Sequence, residues 1–147
     1  MDSGFIAALA ALGGAAVGGL TSFATSWTTL RTQMKAERSA SSKSKRQNLY
    51  KAFIDAAAKT YGDALTNDKL ETTGLIGLHA LVSRMRIVSS GPVIETAVNV
   101  VKVITETYSQ PNKSSEEIEA MISNGSVDIL RSFSEACRDE FEQSLQI

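Results

Sequence analysis

The sequence predicts an all-α protein: an N-terminal transmembrane helix, a juxtamembrane stalk and a small bundle of four or five helices. Three observations lead there. No charged residue occurs from Ser3 to Leu30. Basic residues crowd the stretch that follows. Beyond Asn48 the apolar residues recur at helical spacing, and no stretch alternates strongly enough to build a sheet. The predicted organisation is an anchor over residues 1–30, a basic stalk over 31–48 and a helical domain over 49–147.

The charge-free stretch comes first. A bilayer core about 30 Å thick is crossed by about 20 apolar residues rising 1.5 Å each, and Phe5 through Ala24 supply that length. Trp27 follows within a turn, at the depth where an indole meets the headgroups. Arg31, Lys35 and Arg38 come next and end the buried part. Two alternatives compete with this span. A secretory signal peptide needs a positive n-region, and only Asp2 precedes the apolar run. A buried or interface helix of a soluble oligomer is favoured by the abundance of Ala and Gly and by Thr21, Ser22, Thr25 and Ser26.

Flanking charge sets the expected orientation. Arg31, Lys35, Arg38, Lys43, Lys45, Arg46 and Lys51 face only Glu37 in that stretch, and no basic residue precedes the span. The positive-inside rule places the C-terminal side in the cytoplasm and the N-terminus outside, with one pass. The single cysteine, Cys137, then lies in a reducing compartment as a free thiol.

Within the span, Ala10, Gly14, Gly18 and Ser22 recur every four residues and share a helix face. Small residues let two backbones approach closely in lipid, and Gly14 to Gly18 is a GxxxG. Self-association through this face is expected, against the plain alternative that Ala and Gly are merely abundant. The stalk lacks Pro and Gly, so it either continues the helix or bends at residues 39–44. Its charges attract anionic lipid at about 1 kcal/mol each, or they only set topology. No aromatic residues are interleaved among them, which argues against nucleic-acid binding.

The domain is read helix by helix. Leu49, Tyr50, Phe53, Ile54, Ala57, Tyr61 and Leu65 form one broad apolar face, and Thr66-Asn67-Asp68 ends it in a turn. The next helix runs over 72–88 with Leu75, Leu78, Leu81, Val82 and Met85 inward. Ser89-Ser90-Gly91 breaks it, and Pro92 suits the first turn of a third helix reaching about Ser109, capped by Gly91 or Ser90. That stretch is rich in β-branched residues, so a strand competes there. Ser114 with Glu117 three residues on is a capping box opening a short fourth helix. Asn124-Gly125 stops it. Ser126 or Val127 opens the last helix, with Ile129, Leu130, Phe133, Ala136, Cys137 and Phe141 inward.

Motifs for chemistry are missing. The chain has no GxSxG, P-loop, HExxH or CxxC. One His and one Cys make a His/Cys metal site very improbable, and no cofactor is implied. His79 reads as a packed or half-exposed side chain and Cys137 as a buried structural thiol. Arg84 and Arg86 suit local carboxylates or carbonyls better than a phosphate. Glu135, Asp139 and Glu142 read as the solvated side of the last helix. A non-enzymatic interaction or scaffold module is expected, with a holin-like or pore-forming protein as an alternative; polarity beginning only at Thr21 disfavours a pore.

A resemblance adds to these readings. Residues 11–19 with 21–27 look like the start of small, uncharacterised proteobacterial single-pass membrane proteins with a Gly/Ala-rich N-terminal helix. The likeness continues through Leu49-Tyr50, Phe53-Ile54, 80–86 and 133–138. It implies a bacterial origin and membrane attachment; with the orientation that the flanking charges set, the expected location is the inner membrane and the expected partners are the lipid bilayer and an unknown cytoplasmic protein. It transfers no functional residues.

Overall fold

A computed structural model describes the backbone of residues 3–67 and 69–145, with side chains from Thr29 onward. Five α-helices follow in order: α1 (Ser3–Thr66), α2 (Thr72–Val88), α3 (Gly91–Tyr108), α4 (Ser115–Ser123) and α5 (Arg131–Gln143). There is no strand among the described residues. The chain divides into two compact units, Met1–Ser42 and Lys43–Ile147.

In the first unit the backbone is helical from Ser3. The expected anchor rests on side chains that lie outside the described residues. Among the described residues, no helix is long and apolar enough to cross a membrane. Residues 29–42 are exposed, including Arg31, Lys35 and Arg38 and the apolar Leu30 and Met34. Residues 39–44, a possible bend from sequence, are helical; nothing in their composition breaks a helix, since Ser costs only tenths of a kcal/mol.

The second unit is the bundle. Its core is built from Phe53, Leu78, Met85, Val93, Ala97, Ile104 and Phe133, each with no measurable exposure. The α1 portion contributes Tyr50, Phe53, Ala57, Tyr61, Ala64 and Leu65, which follow 3.6-residue spacing. α2 occupies the expected residues and buries Leu78, Val82 and Met85. α3 is helical throughout, so the strand alternative fails. Its Val93, Ala97, Val100, Val101 and Ile104 lie on one stripe, and a helix is the conformation that puts all five on the core. Pro92 sits in the first turn, and the Ile94 N–H donates to Ser90 O at 3.2 Å. α4 opens with the expected capping box: the Glu117 N–H donates to Ser114 Oγ at 3.2 Å, and the Ser114 N–H to Glu117 Oε2 at 2.8 Å.

One boundary differs from the sequence expectation. The last helix begins at Arg131, not at Ser126 or Val127. Gly125 takes φ +76°, and the Ser126 N–H turns back to Asn124 Oδ1 at 2.9 Å. The Val127 N–H then reaches Met121 O at 3.3 Å, and Asp128 N–H reaches Gly125 O at 3.2 Å. These local bonds compete with a helical start. Ile129 and Leu130 therefore pack half-buried from a turn.

Candidate functional site

The most organised polar feature of the bundle centres on Glu140, near the end of α5. Its side chain is 8% exposed. Tyr50 of α1 donates its hydroxyl to Glu140 Oε2, and the Ser90 N–H donates to Oε1 at 2.5 Å. Arg46 Nη1 lies 3.6 Å from Oε2. The carboxylate thus takes donors from α1 and from the residue preceding α3. A buried carboxylate needs this much compensation, because an uncompensated one costs several kcal/mol. Tyr50 Oη is also hydrogen-bonded to Ser89 Oγ at 2.8 Å. A phenol carries one proton, so with that proton on Glu140 the Ser89 hydroxyl donates.

Aromatic and cationic groups surround this junction. The Arg46 guanidinium lies over the Phe141 ring at 5.5 Å and Lys43 Nζ at 5.6 Å from its centroid. Arg46 Nε is buried and finds no hydrogen-bond partner among the described residues; its place over the ring offsets part of that loss. Tyr50 meets Phe133 edge-on at 5.9 Å and Phe141 at 5.7 Å. Burial, with the Glu140 carboxylate beside it, pushes the Tyr50 hydroxyl well above its ordinary range. Burial likewise pushes the Cys137 thiol up to about 12, with the Glu140 charge adding to it. A thiol held that far from ionisation is a poor nucleophile, which fits the structural role expected for it.

A second feature is a recess of about 360 Å³ at the other end of the α1 segment. Tyr61 and Leu65 form one wall, Ile118 another, and Val127, Ile129 and Leu130 the third. The late start of α5 creates this wall. Apolar side chains also stand out on the surface of α2, where Ile76 is 63% and Ile87 82% exposed. Eleven residues apart, they lie within about 20° on one helix face.

The residues singled out by sequence fall in different places. Ala10, Gly14, Gly18, Ser22 and Trp27 lie on α1, but their side chains are outside the described residues. Arg31, Lys35 and Arg38 are exposed. His79, Arg84 and Arg86 are exposed on α2, so His79 is not packed. Glu135, Asp139 and Glu142 are exposed as expected, and Cys137 is a buried free thiol. Glu140, Tyr50 and Arg46 were not legible as a site. In sequence they read as one more acid on a polar helix, one apolar-face aromatic and one stalk cation. A hint exists: Glu140 falls three residues after Cys137, on the inward side of α5.

Among the described residues, no group of three or more His, Cys, Asp or Glu is arranged to hold a metal ion. The Glu140 carboxylate, which accepts from Tyr50 and from the Ser90 N–H, also lines a recess of about 320 Å³. Comparison of the chain with protein-family models, with curated proteins and with solved structures finds no match.

Proposed function

We propose that this protein is a non-enzymatic, membrane-anchored helical module whose bundle binds a protein partner in the bacterial cytoplasm. One observation carries the reading: the uncharged run from Ser3 to Leu30, followed on one side only by a dense basic flank. That pattern matches a single pass of the inner membrane with the N-terminus outside. The face of Ala10, Gly14, Gly18 and Ser22 serves close self-association in lipid, while Trp27, Arg31, Lys35 and Arg38 mark the membrane interface. The partner-binding part of the reading draws support from the apolar recess beside Tyr61 and Leu65 and from the exposed Ile76 and Ile87.

Fractionation tests the anchor directly. The full-length protein should stay in the membrane pellet through alkaline carbonate washing. An N-terminal tag should be cleaved by protease added outside the inner membrane, while the bundle is protected. Release by carbonate would instead make the first helix an interface element of a soluble oligomer and defeat the proposal.

A further inference from the structure

α5 covers the core, packing on α3 and on the α1 aromatics, but few of its side chains are fully buried. Of its 13 residues only Phe133 and Cys137 are buried. Its N-cap, Leu130, offers no side-chain acceptor; its first turn has no acid and its last turn no base. The N-terminus of the helix therefore lacks the side-chain compensation that stabilises short helices, while at its C-terminus Ser144 Oγ donates to Glu140 O at 2.7 Å and to Phe141 O at 3.1 Å. The Arg138–Glu142 pair on its surface is exposed on both sides at 3.9 Å, and such pairs contribute little. Phe141 meets Tyr50 at 5.7 Å and lies under Arg46 and Lys43, and two further attachments hold the helix. Phe133 inserts against Phe53 at 4.8 Å and Tyr50 at 5.9 Å. A turn beyond Cys137, Glu140 receives Tyr50, the Ser90 N–H and Arg46.

We propose that α5 is a releasable strap, latched at Glu140, which covers an apolar groove between α1 and α3 and opens while the remaining helices stay folded. α5 packs on α3 as well as on the α1 aromatics. Its departure uncovers Phe53 and the side of α3 it lies on, and it exposes Cys137. The donors it leaves tolerate opening unequally. The Tyr50 hydroxyl keeps Ser89 as a partner, and Arg46 reaches water, whereas the Ser90 N–H loses its acceptor. Opening of this kind is local and does not require the α2–α3 pair to separate. The proposal does not depend on the membrane reading.

Cys137 is the sole thiol of the chain and reports the opening without any added label. The full-length protein, in detergent micelles, is treated with a thiol-disulfide reagent such as DTNB over a denaturant series. A strap gives a modification rate at low denaturant that hardly varies with denaturant and exceeds what global unfolding supplies. Glu140→Gln should raise that rate roughly ten- to hundredfold, the factor expected from losing a charged acceptor for buried donors. Tyr50→Phe keeps the ring and removes one donor, so it should raise the rate by less. Leu78→Ala, on α2, should lower the global unfolding midpoint and leave the low-denaturant rate unchanged. The proposal is overturned if Cys137 reacts only in step with global unfolding. It is equally overturned if Leu78→Ala accelerates the reaction as much as Glu140→Gln does, or if Glu140→Gln leaves the rate as it was.

Discussion

Tyr50 donates its hydroxyl to Glu140 across 90 residues of sequence, joining the base of the α1 segment to the end of α5. Both partners are otherwise enclosed, the tyrosine 3% exposed and the glutamate side chain 8%. Replacing Glu140 with Ala leaves the Ser90 N–H without its acceptor, Arg46 without its counter-charge and the Tyr50 hydroxyl with Ser89 alone. A loss of about 2–3 kcal/mol is expected, since each buried donor left unsatisfied costs about 1–3 kcal/mol. Equilibrium denaturation of the variant beside the parent measures it, and an unchanged midpoint would remove the junction from the account of stability.

Phe133 is the apolar counterpart of that junction. It has no measurable exposure and touches both Tyr50 and Phe53. Phe133→Ala should cost about 3–5 kcal/mol through lost burial and the cavity left behind. Ile122→Ala, at a site 61% exposed on α4, should change stability by no more than about 0.5 kcal/mol. Thermal or chemical unfolding separates the two.

Two glycines of α2 predict opposite signs. A Cβ added at Gly77 meets nothing within 4 Å, so Gly77→Ala should stabilise by about 0.5–1 kcal/mol through helix propensity alone. A Cβ at Gly74 would stand 3.0 Å from Thr60 Oγ1 and 3.3 Å from its Cγ2. Thr60 is 4% exposed and holds Ala56 O at 2.8 Å, and as a β-branched residue in a helix it has little room to rotate. Gly74→Ala should therefore destabilise. Unfolding midpoints of the pair decide the matter, and a gain at Gly74 would show that Thr60 yields.

Alkaline pH should weaken the bundle. The Cys137 thiol sits at about 12 in the folded chain against an ordinary value of 9.0, and burial also raises Tyr50, Tyr61 and Tyr108. Raised values mean that the folded state holds these protons longer than the unfolded chain does. Their stabilising contribution is then complete below pH 9 and is lost as pH climbs toward 12. Denaturation midpoints measured from pH 8 upward should begin to fall near pH 9 and keep falling above it, and Cys137→Ala should flatten part of the slope. A midpoint that holds constant over that range would contradict the burial of these groups.

The helices themselves were legible because their signals are local. The bounds of α2 follow from apolar spacing between Asp68 and Ser89, and α4 follows from Ser114 and Glu117 closing a box within one turn. Pro92 starts α3 because its ring fixes φ and gives up an N–H that no helix start uses. The start of α5 was misread for the same kind of reason. The helical spacing of Ile129 and Leu130 imitates a helix face, while the bonds that hold residues 124–129 in a turn depend on one side chain and on a positive φ.

By itself, the sequence determined an all-α chain, its main helix boundaries, its core stripes and a free buried thiol. Periodicity, caps and helix-breaking residues act within a few positions of one another, so they can be read along the chain. Only the tertiary structure decided that Glu140, among the many acids of the C-terminal part, is the one enclosed. It alone placed Arg46 and Lys43 over Phe141 and brought Tyr50 to Ser89. A charged residue looks the same in sequence whether water or protein solvates it. Which one is buried depends on the donors that packing brings from distant segments, and their distance along the chain carries no local signal.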